Sequence, residues 1–396
     1  MMNFDILLAI LFYGLIGYFF VKYRERWQVQ GIVAIYRTRL GLKLMDKIAA
    51  KVPWLLRFLS FFSVLIGFAG MAMILYYLVV GTFMLLTVPA AVPAVAPVLP
   101  GVKIPGLPDL SFWHWIVSIF IVAAVHEFFH GVYARLYKIP VKSSGLALFG
   151  PILGAFVEPD DKVMVKKSRF HQLTVFSAGP FANVLLAIVA LVVLNFVMGP
   201  WYAGTFEGAG VMVNSVMPGH PVDHAGLSAP FLLLSLNNHS TPSIPDFLVA
   251  AQDVRPNQNV ILETDKGVFA VTAEPSPDNA SRGFMGIADF EVSTRIKPAV
   301  VEKYGDKLPL AVSWLHMLVF WLFIVSFGVG LFNLLPLGPI DGGRMFLTGI
   351  SYVVKNGKTQ KKIFGAMTLF CLLLILINLL PYLWKLVLWI ASPFMG

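Results

Sequence analysis

A single cysteine in 396 residues, Cys371, rules out an intramolecular disulfide and any thiolate-built metal cluster. A metal held by this chain must therefore rest on histidine and carboxylate. Charge is scarce as well: Asp, Glu, Lys and Arg make up 13% of the residues against 58% hydrophobic, far outside the range of soluble domains. The net charge of +9 is not gathered into a stripe or groove, which argues against a nucleic-acid partner. No solenoid period recurs along the chain.

What is abundant is long apolar sequence. Runs at 4 to 22, 60 to 87, 112 to 137, 172 to 198, 312 to 335 and 364 to 391 each approach the ~20 residues a helix needs to cross a bilayer. They predict a polytopic α-helical membrane protein with about six transmembrane helices and the lipid bilayer as its main surrounding. The first run has no basic residues ahead of it and no small-residue cleavage site behind it, so it is expected to remain as a span. Positive residues collect in alternate loops: Lys22 to Arg57 after span one, Lys138 to Arg169 after span three, Arg344 to Lys362 after span five. The positive-inside rule places these loops in the cytoplasm, with both termini and the long 199 to 311 segment outside, as in a multi-pass protein of the cell membrane.

The connectors differ in kind. Pro89, Pro93, Pro97, Pro100, Pro105 and Pro108 predict an extended external segment between spans two and three. Ser143 to Glu158 is apolar but interrupted by Gly145, Gly150, Pro151 and Gly154, too broken for a helix. It reads either as a short hairpin folded back at membrane depth or as an amphipathic loop. Residues 205 to 298 carry strand-like runs (Val211 to Val216, Val260 to Thr264, Val268 to Ala273) between Gly, Pro, Asn and Asp turns, which predicts a small α/β or all-β module inserted between spans four and five. The organisation expected is two N-terminal spans with their connectors over 1–111, core helices over 112–198, the inserted module over 199–305, and a further core helix with the last span over 306–396.

The chemistry concentrates in His126-Glu127-Phe128-Phe129-His130, within the third span. A helix puts residues i and i+4 on one face, so both imidazoles can reach one zinc ion while Glu127 approaches water bound to it. Histidines packed against neighbouring helices are the bland alternative, but that leaves an ionisable glutamate inside a membrane helix without a reason. Zinc needs a third protein ligand. Asp341, just past span five, is the candidate. His126 and His130 lie about 21 to 27 Å from the outer end of span three, and span five runs in the same direction to deliver Asp341 to that level. Taken alone, Asp341 would read as a turn residue beside Gly342 and Gly343. Asn183 and Gly179-Pro180 read as structural, the first as an interhelical hydrogen-bonding residue and the second as a helix start or kink.

The chain resembles the site-2 proteases, intramembrane zinc metallopeptidases marked by HExxH on one core helix and N-x-x-P-x-x-x-x-D-G near a later one. Here His126, Glu127 and His130 match the first motif, and Asn333, Pro336, Asp341 and Gly342 the second. Ser177 to Asn183, read as opening the middle core helix, and the glycine-rich stretch before it extend the likeness. The resemblance implies a site-2 protease core in which Glu127 is catalytic, His126, His130 and Asp341 bind Zn2+, and Asn333 holds the substrate backbone. Asn333 could equally cap a helix end. The resemblance also implies a membrane-embedded β-element at 143–157 able to pair with substrate. Val213 to Leu227 and Leu232 to Asn238 resemble a PDZ domain, although Pro230-Phe231 stands where that pattern has Gly-Asp. The expected function is hydrolysis of peptide bonds within or near transmembrane segments of membrane-protein substrates, in regulated intramembrane proteolysis. The alternative is an inactive membrane scaffold that binds through the PDZ-like module. A metal transporter is disfavoured because no inverted repeat is visible.

Overall fold

The computed structural model describes residues 2–31, 33–88, 91–150, 152–277 and 279–391; Pro89 and Pro151 lie outside them. The chain divides into two compact units, Met1–Leu194 with Met317–Gly396, and Asn195–His316.

The first unit opens with α1 (Met2–Lys22), a β1–β2 hairpin (Trp27–Gln30, Val33–Thr38) and α2 (Leu42–Lys51). The long α3 (Pro53–Thr87) carries proline in its first turn, where no backbone donor is lost. After the proline-rich connector comes α4 (Phe112–Leu136), capped by the Ser111 hydroxyl. A hairpin of β3 (Val141–Phe149) and β4 (Ile152–Pro159) follows, then the single turn α5 (Asp161–Met164) and α6 (Arg169–Val193). The glycine-rich stretch is thus a hairpin. The sheet order β1-β2-β3-β4 adds something the sequence reading did not contain: the segment after α1, taken for a basic loop, supplies two strands. β2 pairs antiparallel with β3 from Val33–Phe149 to Thr38–Ser144, which leaves β4 as an edge. Ser177–Asn183 does not open its helix either. α6 starts at Arg169, under a Ser168 cap, and Pro180 lies in its interior.

The second unit begins after Leu194 with a π-helical turn (Leu194–Met198) and α7 (Gly199–Thr205). It continues through β5 (Phe206–Val216), α8 (Pro221–His224), β6 (Phe231–Leu236), β7 (His239–Ser240) and α9 (Ile244–Gln252). β8 (Asn259–Thr264), β9 (Gly267–Thr272), a minor pair β10 (Glu274–Pro275) and β11 (Gly283–Phe284), β12 (Ile287–Ile296) and α10 (Pro298–Tyr304) complete it. The main sheet runs β12-β5-β6-β8-β9, all antiparallel. Its alternating residues Val211, Val213, Leu233, Val260 and Leu262 bury completely with Phe231, Phe247 and Val254. Period-two alternation of this kind is what a sheet with one buried face requires.

α11 (Lys307–Phe332), α12 (Asp341–Val353) and α13 (Gly357–Ala391) close the chain. Among the described residues five helices are long and apolar enough to cross a membrane: Pro53–Thr87, Phe112–Leu136, Arg169–Thr205, Lys307–Phe332 and Gly357–Lys385. The apolar stretch of α1 counted with them is the shorter Ile6–Lys22. These helices fit a multi-pass integral membrane protein, and their surfaces agree. Phe58, Phe61, Tyr76, Phe83, Leu369, Leu372 and Leu376 face outward, whereas Ser60, Ser63, Thr174, Ser177, Asn183, Ser326 and Asn378 are wholly buried. In hydrocarbon there is no gain in hiding leucine, so small and polar side chains mediate helix contact. Ser177 donates to Ser63 at 3.0 Å, and Asn378 to Thr82 at 2.7 Å. Such contacts average about 0.6 kcal/mol each in a membrane, so close packing must carry most of the association. That packing is visible around Met45, Tyr133, Ile139, Val175, Ala178, Leu334 and Met345. Cys371 is a buried packing residue beside Leu78 and Leu335.

Candidate metal centre

His126 and His130 lie one turn apart on α4, and both are buried. Asp341 reaches them from the first residue of α12, a position that favours a carboxylate because the helix's free N–H groups point there. The path from α11 to α12 doubles back: the Gly342 N–H donates to the Asn333 carbonyl at 2.7 Å. A Cβ on Gly342 would strike the Leu334 and Leu335 backbone, and one on Gly343 the Leu337 carbonyl. The double glycine is therefore what lets Asp341 approach α4.

Three donor atoms converge. His126 Nε2 is 2.9 Å and His130 Nε2 3.2 Å from Asp341 Oδ2, and the two imidazole nitrogens are 3.1 Å apart. Tetrahedral zinc with bonds of ~2.0–2.1 Å separates its donors by roughly 3.3 Å, so the triangle needs to open by only a few tenths of an ångström. Among the described residues this is the one group of three or more His, Cys, Asp or Glu placed to hold a metal ion. The donor set, two imidazoles and one carboxylate, also suits zinc chemically. In the second unit His220 pairs with Glu274, but no third donor joins them among the described residues.

The outer ring orients the imidazoles. His130 Nδ1 donates to the Val175 carbonyl at 2.7 Å, which leaves Nε2 free to ligate. His126 Nδ1 lies 3.0 Å from the side-chain amide of Asn183. For Nε2 to bind a metal, Nδ1 must carry the proton, and its partner must accept. The amide oxygen and nitrogen are interchangeable in shape. The orientation with Nδ2 toward His126 leaves Oδ1 buried without a partner, so the orientation with Oδ1 on Nδ1–H is the one a bound metal selects. α6 can come this near because of Gly179, where a Cβ would collide with both Nε2 atoms.

A polar cavity of about 200 Å³ adjoins the triangle, lined by Glu127, His130, Val157, Asp341 and Arg344 among others. The Glu127 carboxylate accepts a hydrogen bond from the Val157 N–H of β4 at 2.9 Å. The Arg344 guanidinium stands over the Phe176 ring, 5.6 Å from its centroid. Asn333 sits at the end of α11; its carbonyl is used by Gly342, and its side-chain amide has no hydrogen-bond partner among the described residues. His126, Glu127, His130 and Asp341 are thus brought to one place. The sequence reading had Asn183 as an interhelical hydrogen-bonding residue, which it is, without naming His126 as its partner, and missed the parts played by Gly179, Val175 and Val157. A signal existed for Gly179, since it and Asn183 are four apart on one helix face. None existed for Val175 and Val157, whose backbone groups carry no side-chain signature.

A family model described as peptidase family M50 matches residues 114–377, more than half of the chain. The chain therefore belongs to peptidase family M50, the family of the site-2 proteases. It is 27% identical to an uncharacterised protein of Methanocaldococcus jannaschii over 79% of this chain and 76% of the relative. A protein of Mesorhizobium japonicum named as a zinc metalloprotease is 23% identical over 50% of this chain and 67% of its own length. Another so named, from Lactococcus lactis, is 22% identical over 52% and 54%.

Proposed function

We propose that the chain is an intramembrane zinc metalloprotease that hydrolyses peptide bonds within or near transmembrane segments of membrane-protein substrates. The observation that carries this is the convergence of His126, His130 and Asp341 to within 3.2 Å of one another beside a cavity that also holds Glu127. Family M50 membership and the zinc metalloprotease names of two relatives support it.

The three donors are proposed to hold Zn2+, which when bound lowers the pKa of water from 15.7 towards ~7 and polarises a carbonyl. Glu127 takes the proton of the attacking water and delivers it to the leaving amide nitrogen. Asn333 offers its free side-chain amide to the substrate backbone. A helical peptide bond is closed to attack, so the substrate must be extended. The edge of β4 is suited to hold it by strand addition. Val157 donates away from β3, and by the two-residue period Ala155 and Leu153 present the same edge.

The Asn195–His316 unit, an antiparallel sheet with two short helices between its strands, is read as PDZ-like and as a filter for substrates in regulated intramembrane proteolysis. With the basic loops cytoplasmic, α1 as a sixth span, and this unit outside, the metal centre lies near the cytoplasmic leaflet of the cell membrane.

The test is cleavage of a single-span substrate by purified wild type, Glu127→Gln and a chelated sample, with metal content measured on each. Product from wild type alone, with about one zinc per chain in both proteins before chelation, is the expected result. Full activity of zinc-loaded Glu127→Gln overturns the assignment of the base; zinc without cleavage of any substrate favours the scaffold.

A further inference from the structure

Away from the metal centre, the ends of three apolar helices enclose a second cleft, of about 510 Å³. α3 contributes Arg57 from its first turns, the turn after α4 contributes Lys138, the approach to α6 contributes Lys167, and the first turn of α6 contributes His171. Among the described residues no carboxylate lines the cleft, and none of the three cations is paired with one. Three unpaired like charges around one hollow repel each other in the empty state, which an anion would relieve.

The cations are held from below. The Tyr137 hydroxyl bonds Ser60 of α3 at 2.7 Å, and its ring stacks on His171 of α6 with centroids 4.0 Å apart. Lys138 itself has φ 55°, a left-handed conformation that glycine or asparagine adopts more readily. Its neighbour Ile139 is fully buried and closes the helix end by donating to Ala134. A lysine therefore occupies the turn at a conformational disadvantage, and it projects into the cleft.

We propose that this cleft binds the phosphate of an anionic phospholipid headgroup. The membrane setting favours lipid over free phosphate as the source. All three supporting helices are candidate spans, so the cleft lies where a span meets the headgroup layer. Phe170 gives one wall an apolar, exposed face, and Trp54, one turn before Arg57 on α3, is exposed beside it as interfacial aromatics are. Basic pockets between helix ends are suited to anionic headgroups, with each cation near the surface strengthening attachment severalfold. The site stands on the two helices that carry His126, His130 and Asn183, about 12 Å along α4 from His130. The inference does not depend on the protease reading.

Binding of a fluorescent short-chain phosphatidylglycerol to the full-length protein in uncharged detergent tests it, with the phosphatidylcholine analogue alongside. Neutralising the cleft in Arg57→Gln/Lys138→Gln/Lys167→Gln should weaken binding about a hundredfold. The control Lys355→Gln/Lys358→Gln/Lys361→Gln removes as much charge elsewhere and should change it less than about threefold. Lys167→Gln alone, at a part-buried bend outside the helices, should cost about fivefold and guards against misfolding of the triple variant. Equal losses in both triples, or none in either, overturns the site. Inorganic phosphate binding as tightly as the lipid would keep the phosphate site and overturn the lipid as its occupant.

Discussion

The Glu127 carboxylate and the Val157 N–H are 2.9 Å apart, which ties the acid of the HExxH helix directly to the edge strand β4. The base proposed to activate water and the strand proposed to hold substrate are therefore one assembly. Proline is tolerated on an edge strand whose N–H points outward, so Val157→Pro removes the donor while leaving the β3–β4 ladder. A hydrogen bond to a charged group is worth about 1.5–3 kcal/mol. The turnover rate should fall roughly tenfold or more with metal content unchanged, read as kcat on a single-span substrate; wild-type turnover would mean the contact does not orient Glu127.

Asn183 should act through acceptance alone. Asn183→Asp keeps an oxygen for His126 Nδ1–H, whereas Asn183→Leu keeps the size and loses the acceptor. Loss of such an outer partner costs about 10–100-fold in metal affinity. Chelator competition should show that loss in the leucine variant and little or none in the aspartate variant. Equal affinity in wild type and Asn183→Leu would reduce Asn183 to a packing residue.

Gly179→Ala should lower metal retention more than stability. Alanine is favoured over glycine inside a helix by about 1 kcal/mol. Its Cβ, however, enters the space of both ligating nitrogens. Overpacking at a buried site costs about 1–3 kcal/mol, so zinc content after dialysis should fall sharply and the stripped protein should melt somewhat lower than wild type; unchanged zinc content would mean that the imidazoles yield without losing the metal.

The β2 attachment to the hairpin should be pH-dependent. Glu158 accepts from the Ser143 hydroxyl at 2.7 Å and faces Arg37 of β2 at 3.1 Å; these partners hold its carboxyl below the ordinary range against the opposing effect of partial burial. A depressed carboxylate stabilises the fold above its unfolded pKa, and the contribution is lost as pH falls through the folded value. Relative to its intrinsic rate at each pH, hydrogen exchange in Val33–Thr38 should therefore quicken on acidification through that range, modestly because the pair is part-exposed. Glu158→Gln should show the faster exchange already at neutral pH and little further change.

Much of the site was legible because its ligands are side chains with a spacing. His126 and His130 share a face by helical period alone, and Asp341 was placed by counting rise along two spans that run the same way. The strands at 211–216 and 260–264 were legible from their alternation, whereas the glycines of 143–158 excluded a helix but left hairpin and loop open until the strands were seen. The β1–β2 strands were not, because Trp27 to Thr38 has a basic, mixed composition whose pairing depends on β3, more than a hundred residues away. Pro180 misled because proline usually stops a helix, whereas α6 runs on through it.

By itself the sequence determined which groups this protein can bring to a metal, since only histidine and carboxylate were available and, of the two histidine pairs four apart with an acid between, His220 and His224 are interrupted by Pro221 while His126 and His130 lie in an unbroken apolar run. It also determined that helices would carry them, because apolar runs of that length must satisfy their own backbone in a bilayer. Only the tertiary structure decided the tautomer of His130, the tether on Glu127 and the closeness of α6. Each depends on a backbone amide, a carbonyl or a missing Cβ, groups common to nearly every residue and given meaning only by where the chain folds them.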